Sequence, residues 1–421
     1  MRIIPLLIVV LALIANIVAS RGFAAEPAAV GVPRVDPIYD GDVREWWGRH
    51  PLNPRAKEAL REIASPSPIV ELKVGESIDE AIAKLPASGG TIQLAAGTYG
   101  PFRIIGRSNV HLLGSTSGAS VITGHSYIAV CPEAMDYVTY DAAVSRFDTH
   151  PLKDQRLWEI YKQPTRNFLL RDLVFDGEGK TAVDFPGVGI KGPGGALGLK
   201  RVRDVLVDRC VFRNFIDATS NLQHCGLAWG HYGLTNVWFR ECEFLGVAKY
   251  AIYLDGAHGS GLVRCKIDGQ GCKDGGLLFL ANHDFTDDLN ENGKLDSAEE
   301  KCAKYVVIDD CKFNWSRGTP IRYTGRELLV TNNQFNGVML EPVGVYRTGE
   351  IAHRNWPAGH LSLRIVDNKI GTCARGVLNI FDLNPAKVDE LRAAPVEAQY
   401  TVTGNIVAKS PADVIYTPLR K

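Results

Sequence analysis

Ionisable side chains recur near the ends of four similar segments of this sequence, which read GLAWGHYG, AIYLDGAHG, GLLFLANHD and PIRYTGR. Near the segment ends stand His231, His258, His283 and Arg326. If each segment is a strand followed by a turn, its side chains alternate between two faces. Tyr253 and Asp255 then share the outward face of one strand, and Arg322 and Thr324 share that of another. The spacing predicts a polar patch that crosses several strands.

These residue types suit the removal of a proton beside a carboxylate. Arginine binds a carboxylate through its planar fork, and a neutral histidine accepts a proton near pH 7. We therefore expect Arg322 and Arg326 to bind the carboxylate, His258 to act as base and Tyr253 as acid. Asp255 would orient His258 or bind a substrate hydroxyl. Turns of soluble proteins also collect such residues without any catalytic role, and that interpretation stays open.

A second constellation has the spacing of a calcium loop of EF-hand type. Calcium takes six to eight oxygen ligands, and the loop needs a glycine at its sixth position, here Gly293. The predicted Ca²⁺ ligands are Asp288, Asn290, Asn292, the Lys294 carbonyl, Asp296 and Glu299. No pair of helices flanks the loop, so it is expected to order an insertion. The alternative is a solvated acidic loop that holds no metal.

The elements that position these residues follow from an internal repeat. Each copy of the repeat has apolar residues at its first and third positions, Cys or Asn at its sixth, and a large apolar residue at its eighth, as in Val205, Val207, Cys210 and Phe212. The last position of the repeat is filled by Phe175, Phe212, Phe244, Ile267, Phe313, Phe335, Ile370 and Val407. The shortest steps, 22 and 23 residues, hold three short strands and three turns. The repeat predicts parallel coils with stacked phenylalanines inside. A leucine-rich repeat would need leucine and helical turns instead.

One repeat position is held by Cys210, Cys242, Cys265 and Cys311, and then by Asn333, Asn368 and Asn405. Stacked strands lie about 4.8 Å apart, whereas a disulfide brings Cβ atoms to about 3.8 Å. The four cysteines are therefore expected to be free thiols, and the asparagines to form an amide ladder. Cys272 and Cys302, on either side of the calcium loop, are the candidates for a disulfide.

The first coil carries a capping signal: Ser77 precedes an apolar helical face, Glu80 stands three residues on, and Pro86 ends the helix. This passage, ESIDEAIAKLPASGGTIQLAAGTYGPF, resembles the N-terminal cap of pectate-lyase-like proteins. With the repeat copies, the resemblance extends from Glu76 to Val407. It implies an all-β, single-stranded right-handed parallel β-helix with an N-terminal capping helix.

That superfamily includes lyases, epimerases, hydrolases and non-enzymes, so the fold alone selects no activity. The resemblance favours a carbohydrate-active protein with an acidic polysaccharide as partner, most readily a lyase or epimerase acting on uronic acids. The segment YLDGAH is faintly similar to the Tyr, Asp and His cluster of alginate C5-epimerases, with a different spacing. A non-catalytic glycan-binding or cell-surface β-helix, with Trp238 as a stacking platform, is one alternative. A glycoside hydrolase is the other, although the Asn-Thr-Asp signature of polygalacturonases is absent.

Composition and the N-terminus indicate an exported protein. The 421 residues carry no net charge, which argues against a nucleic-acid partner. Residues 1–25 combine a positive start, an uncharged apolar run and small closing residues, as in a cleaved signal peptide. An uncleaved membrane anchor is the alternative. We expect a secreted or periplasmic monomer, not inserted in a membrane. It would comprise an extension at 26–75 and a β-helix at 76–421, with insertions at 124–166 and 283–303.

Overall fold

The structure is a computed structural model. It describes residues 65–135, 155–161, 163–181, 195–216, 228–231, 234–247, 250–269, 275–280, 303–323, 325–346, 363–381 and 400–417. The chain divides into two compact units, 1–34 and 35–421, and every described residue lies in the second. The predicted signal peptide, the calcium loop, His283, Thr324, Cys272 and Cys302 lie outside the described residues.

Three parallel sheets, named A, B and C, contain the described strands. Sheet A is formed by β1 (Ile69–Leu72), β2 (Gly90–Leu94), β5 (Val110–Leu113), β8 (Thr165–Arg171), β11 (Val202–Asp208), β14 (Thr235–Arg240), β17 (Gly261–Val263), β20 (Ala303–Asp309), β23 (Gly325–Thr331), β26 (Leu363–Val366) and β29 (Tyr400–Thr403). Sheet B is formed by β3 (Gly97–Tyr99), β6 (Ser120–Thr123), β9 (Leu173–Thr181), β12 (Val211–Ile216), β15 (Glu243–Phe244), β18 (Lys266–Gly269), β21 (Lys312–Trp315), β24 (Gln334–Met339), β27 (Lys369–Cys373) and β30 (Ile406–Lys409).

Sheet C is formed by β4 (Arg103–Ile105), β7 (Ser126–Ala129), β10 (Leu197–Lys200), β13 (Ala228–His231), β16 (Ile252–Asp255), β19 (Gly275–Leu280), β22 (Thr319–Tyr323), β25 (Val343–Tyr346), β28 (Leu378–Phe381) and β31 (Val414–Thr417). Each coil passes through sheets A, B and C in turn, and each strand pairs in parallel with the strands of adjacent coils. The predicted right-handed parallel β-helix is confirmed. Strand β1 lies before the predicted start at residue 76, and β7 is a regular strand inside the stretch 124–166.

The interior contains the predicted phenylalanine column. The rings of Phe175 and Phe212 stack with centroids 4.8 Å apart, and those of Phe212 and Phe244 with centroids 4.7 Å apart. Farther along, Phe313 and Phe335 stack at 4.7 Å. All five side chains are buried. Because each coil closes its apolar face only against its neighbours, this column fixes the register of sheet B.

The bend between sheets A and B explains the three-residue step in the repeat. One residue before each ladder position has a left-handed backbone, as at Arg209 (φ 51°) and Glu241 (φ 54°). The four predicted ladder cysteines are buried and free, as expected. They are followed by the asparagine ladder, in which the Asn333 amide donates to Asn368 Oδ1 at 3.0 Å and the Asn368 amide to Asn405 Oδ1 at 2.9 Å.

Two short helices flank the sheets. Helix α1 (Ile78–Lys84) begins at Ser77, whose hydroxyl accepts the Glu80 backbone N–H, and buries Ile78, Ala81 and Ile82 against the first coils. Helix α2 (Gln155–Tyr161) lies beside the sheets in the third coil. A 3₁₀ turn covers Pro132–Met135. Within the described ranges, no helix is both long and apolar enough to cross a membrane.

Candidate functional site

The outer face of sheet C carries several polar residues along one line of backbone register. One line of paired positions runs through Arg103, Tyr127, Gly198, Trp229, Tyr253, Leu278, Arg322, Gly344 and Asn379. The alternate positions, such as Ile252 and Leu254, are fully buried in the interior. The predicted orientation of β16 is therefore confirmed, since Tyr253 lies on the side opposite the core.

Tyr253 and Arg322 occupy the same line two strands apart, or about 10 Å at sheet spacing. Tyr253 is nevertheless only 1% exposed, and its ring meets Tyr250 edge-on with centroids 6.0 Å apart. Arg322 is half-buried. The structure thus brings these two predicted residues onto one face and leaves the arginine as the more accessible of the two.

A buried carboxyl group lies beside Arg322 and was not predicted. Glu341 precedes β25 by two residues, and the pairing of Val343 with Ile321 sets it next to Thr319. The Thr319 hydroxyl donates a hydrogen bond to Glu341 Oε1, and Arg375 Nη1 lies 3.8 Å from Oε2. The residue is 0% exposed, so its charge depends on these few neighbours.

The electrostatics of Glu341 differ from those of a structural ion pair. Burial raises the pKa of the Glu341 carboxyl above its ordinary value. The hydrogen bonds from Thr319 and Asn379 and the positive charges of Arg375 and Arg322 offset that effect only in part. A carboxyl with a raised pKa exchanges protons more readily near neutral pH. Arg322 can bind an anionic group, and a carboxyl of this kind can transfer a proton.

The other predicted site residues lie elsewhere. His258 is 1% exposed and adjoins sheet A. Its backbone N–H donates to the Leu234 carbonyl, and its backbone carbonyl accepts from the Asn236 N–H. Arg326 was expected in the turn after Arg322. It lies instead in β23 of sheet A, where it pairs with Lys304, so the two arginines belong to different sheets.

Asp255 ends strand β16 of sheet C, and its backbone pairs with Leu280 of β19. It therefore belongs to the same strand as Tyr253. His231 ends the neighbouring strand β13, where its backbone pairs with Lys200.

A second polar group lies near the start of the same face. The rings of His125 and Tyr127 have centroids 4.2 Å apart, and Lys200 is fully buried nearby. Burial lowers the pKa of His125 to about 3, and the charge of Lys200 acts in the same direction. Burial also raises the pKa of Tyr127, against the opposing charge of Arg103. At neutral pH this histidine is uncharged and a weak base, which suits it less to proton transfer than Glu341.

Trp238 is not the exposed stacking platform that a glycan-binding surface would need. It points away from the interior of the coil but is 0% exposed, and its indole N–H donates to Asn236 Oδ1 at 2.8 Å. Its register neighbour Leu206 is equally buried. Among the residues described, the exposed large hydrophobic side chains are aliphatic: Ile69, Val74, Val338 and Ile406.

The predicted calcium ligands, Asp288 to Glu299, fall outside the described residues. In the described part of the chain, no three His, Cys, Asp or Glu side chains cluster as metal ligands do.

Comparisons with known proteins give weak structural likenesses. No family model and no curated protein matches it. Among solved structures, an alginate lyase from Paenibacillus is similar with a TM-score of 0.36 and 11% identity, covering 83% of this chain and 97% of that one.

The A-module of a mannuronan C-5 epimerase from Azotobacter vinelandii gives a TM-score of 0.35 and 15% identity, over 81% of this chain and 90% of that one. A surface adhesin of Streptococcus pneumoniae gives 0.34 and 12%, over 81% and 86%. Likenesses of this size select no activity, and the fold rests on the strand register itself.

Proposed function

We propose that this protein is a secreted enzyme that acts on uronic-acid-containing polysaccharides at the outer face of sheet C. The reaction class is removal of the proton α to the sugar carboxylate, as in a lyase or an epimerase. The observation that carries the proposal is the electrostatic interaction of a partly exposed arginine, Arg322, with a buried carboxyl of raised pKa, Glu341.

Each residue has a role in the proposed reaction. Arg322 binds the uronate carboxylate and stabilises the negative charge that develops when the α-proton leaves. Glu341, in its ionised form, takes that proton. In a lyase the bond to the leaving oxygen then breaks, a carbon–carbon double bond forms, and Tyr253 protonates the oxygen. In an epimerase Tyr253 delivers a different proton to C5 from the opposite face, and no bond to oxygen breaks.

The predicted base, His258, is a competing candidate within this proposal. His258 adjoins sheet A, whereas Glu341 interacts electrostatically with Arg322 of sheet C. We therefore assign the proton transfer to Glu341. Comparing Glu341→Gln with His258→Ala decides between them, since loss of activity in the second variant alone restores the histidine.

We also propose that residues 288–299 bind Ca²⁺ and that the ion orders the insertion around them. The support is the ligand spacing in the sequence. No catalytic step is assigned to the ion.

The test is a screen of the purified protein against pectate, alginate and glycosaminoglycans. Absorbance of unsaturated uronates reports a lyase, and reducing ends without that absorbance report a hydrolase. We expect unsaturated product or C5 inversion with at least one polyuronate, and its loss in Arg322→Gln. Lys312→Gln, which removes an exposed cation from sheet B, is the matched control. Binding without any turnover would favour a non-catalytic glycan-binding protein.

A further inference from the structure

A groove of about 470 Å³ opens where sheet C passes into sheet A in the early coils. One wall follows the ends of β4 and β7, at Gly106 and Val130, and the other is formed by Ser108 and the start of β8. Residues at and just after helix α2, Ile160 and Gln163, close its outer side. Its volume lies in the range of small-ligand sites.

The lining combines one cation with neutral polar and apolar groups. Arg166 is exposed, and its backbone N–H donates to the Ser108 hydroxyl at 3.0 Å, which fixes the two sides of the groove together. Gln163 adds an exposed amide, and Ile160 and Pro164 add apolar surface. Among the described residues that line the groove there is no carboxylate. A sugar ring with one acidic group presents the complementary set of an apolar face, hydroxyls and a carboxylate.

Thr165 supplies a second observation that points to a ligand. It lines the groove, is 7% exposed, and its hydroxyl oxygen has no hydrogen-bond partner in the part of the chain that the structure describes. A buried hydroxyl without a partner costs free energy. A ligand hydroxyl or carboxylate in the groove would satisfy it.

The neighbouring coil adds three buried basic residues to this region. Lys200, Arg201 and Arg203 follow one another through the corresponding turn, and each is almost fully buried. Arg203 pairs in register with Arg166. Of these basic residues Arg166 is the exposed one, and its charge favours an anionic ligand.

We propose that this groove is a separate binding subsite for an acidic sugar unit. The inference rests on the proposed function for the class of substrate. The groove begins at the end of β4, at Gly106. Strand β4, which contains Arg103, lies six strands from the strand of Arg322 in sheet C, or roughly 29 Å at sheet spacing. A polysaccharide lying along sheet C reaches both sites, whereas a short oligosaccharide reaches only one. The groove therefore makes the protein prefer long chains.

The binding test uses the full chain carrying Glu341→Gln, so that no turnover occurs, with hexagalacturonate and hexamannuronate in a calorimeter and cellohexaose as the neutral probe. Adding Arg166→Gln should raise the Kd of an acidic hexamer about tenfold. Adding Thr165→Val should weaken binding while leaving the melting temperature unchanged or higher, since it removes an unsatisfied hydroxyl. Lys312→Gln should change nothing.

The kinetic test uses the otherwise wild-type enzyme. Arg166→Gln should raise KM for a polymer about tenfold with kcat unchanged, and leave KM for a trisaccharide alone. Turnover of polyuronate with Kd and KM unaltered in Arg166→Gln would overturn the subsite and leave the proposed function standing. Hexamer binding that is lost in Arg166→Gln, without turnover by the wild type, would support the subsite and overturn the proposed function.

Discussion

Two buried carboxylates, Asp208 and Glu341, are both fully enclosed and lie on different sides of the coil. Asp208, at the bend from sheet A to sheet B, accepts from Arg171 Nε at 2.8 Å, from Arg209 Nη1 at 3.0 Å and from Arg240 Nη2 at 2.8 Å. Glu341, beside sheet C, accepts from the Thr319 hydroxyl and the Asn379 amide and has one guanidinium, that of Arg375, 3.8 Å away. The carboxylate of Asp208 is therefore saturated with donors, whereas that of Glu341 has few partners.

The difference appears in the direction of the pKa. Burial alone would raise the pKa of Asp208, but the bonds and charges of Arg240, Arg209 and Arg171 outweigh it and hold the pKa below its ordinary value. For Glu341 burial prevails and the pKa is raised. A saturated carboxylate is locked in its charged form and serves the fold. A carboxyl that is only partly compensated is free to exchange a proton, which is the property a reactive site requires.

The largest effect is expected from breaking the saturated group. Asp208→Asn leaves three guanidinium groups without their shared charge and should lower the free energy of unfolding by about 3–5 kcal/mol. Glu241→Gln removes a carboxylate from the exposed pair with Arg264, whose side chain is 29% exposed, and should cost at most about 1 kcal/mol. Denaturant unfolding of both variants measures the contrast. Equal costs would show that the Asp208 network is not structural.

Glu341→Gln should have the opposite effect, with little change in stability and a large loss of activity. The amide keeps an oxygen for the Thr319 hydroxyl and removes a buried charge, so stability should change by less than about 1 kcal/mol. Activity on the identified polyuronate should fall by about 10²–10⁴-fold, the usual contribution of general acid–base catalysis. Unfolding curves and initial rates are measured on the same preparation. A folded variant with full activity would remove Glu341 from the site.

The two carboxyls should also give stability opposite dependences on pH. The pKa of Asp208 is depressed on folding, so its contribution is present above the unfolded value of about 3.9 and is lost as pH falls through the folded pKa. The pKa of Glu341 is raised, so its unfavourable contribution appears as pH rises from about 4.3 through the folded pKa. Comparing each wild-type stability curve with that of its amide variant should show these two signs. Curves of the same sign would contradict the comparison.

The buried thiols at the bend between sheets A and B should, like Asp208, serve the fold and be unreactive. Burial raises the pKa of the Cys242 and Cys311 thiols, which disfavours the reactive thiolate. A thiol reagent should leave both unmodified in the native protein and label them after unfolding, as read by mass spectrometry of the peptides. Native labelling faster than global unfolding would mean that the bend opens locally.

Removal of calcium is expected to have the smallest effect on the contributions of Asp208 and Glu341. Calorimetry should detect Ca²⁺ binding to the wild type and weaker binding to Glu299→Gln, which loses the bidentate ligand of the loop. Chelation should leave the unfolding cost of Asp208→Asn unchanged. Equal heats in both proteins, or none at millimolar Ca²⁺, would end the assignment.

The fold was predictable because its determinants are local and periodic. The phenylalanines and the Cys–Asn ladder return with each coil, so sequence spacing becomes spatial stacking. The solvent exposure of outward-facing side chains was less predictable. Period-two alternation tells which side of a strand Tyr253 and Trp238 occupy, but it does not tell whether that side is covered, and both side chains are buried.

The candidate site was only partly predictable for a related reason. Tyr253 and Arg322 stand in recognisable strands and share one line of the sheet. Glu341 lies outside a strand, and it meets Thr319 and Arg375 from coils before and after it. A signal was present, since Glu341 follows Thr319 by 22 residues, one of the shortest coil lengths. Its raised pKa depends on burial, which the spacing does not report.

The most direct test of the central claim follows the proton itself. Polyuronate is incubated with the protein in deuterated water and observed by nuclear magnetic resonance, which detects deuterium at C5 in an epimerase and a new olefinic resonance in a lyase. We predict one of these signals with the wild type, its loss in Glu341→Gln and Arg322→Gln at unchanged melting temperature, and its persistence in Lys312→Gln. Undiminished C5 exchange or olefin formation in a folded Glu341→Gln protein would contradict the assignment of sheet C as the reactive face.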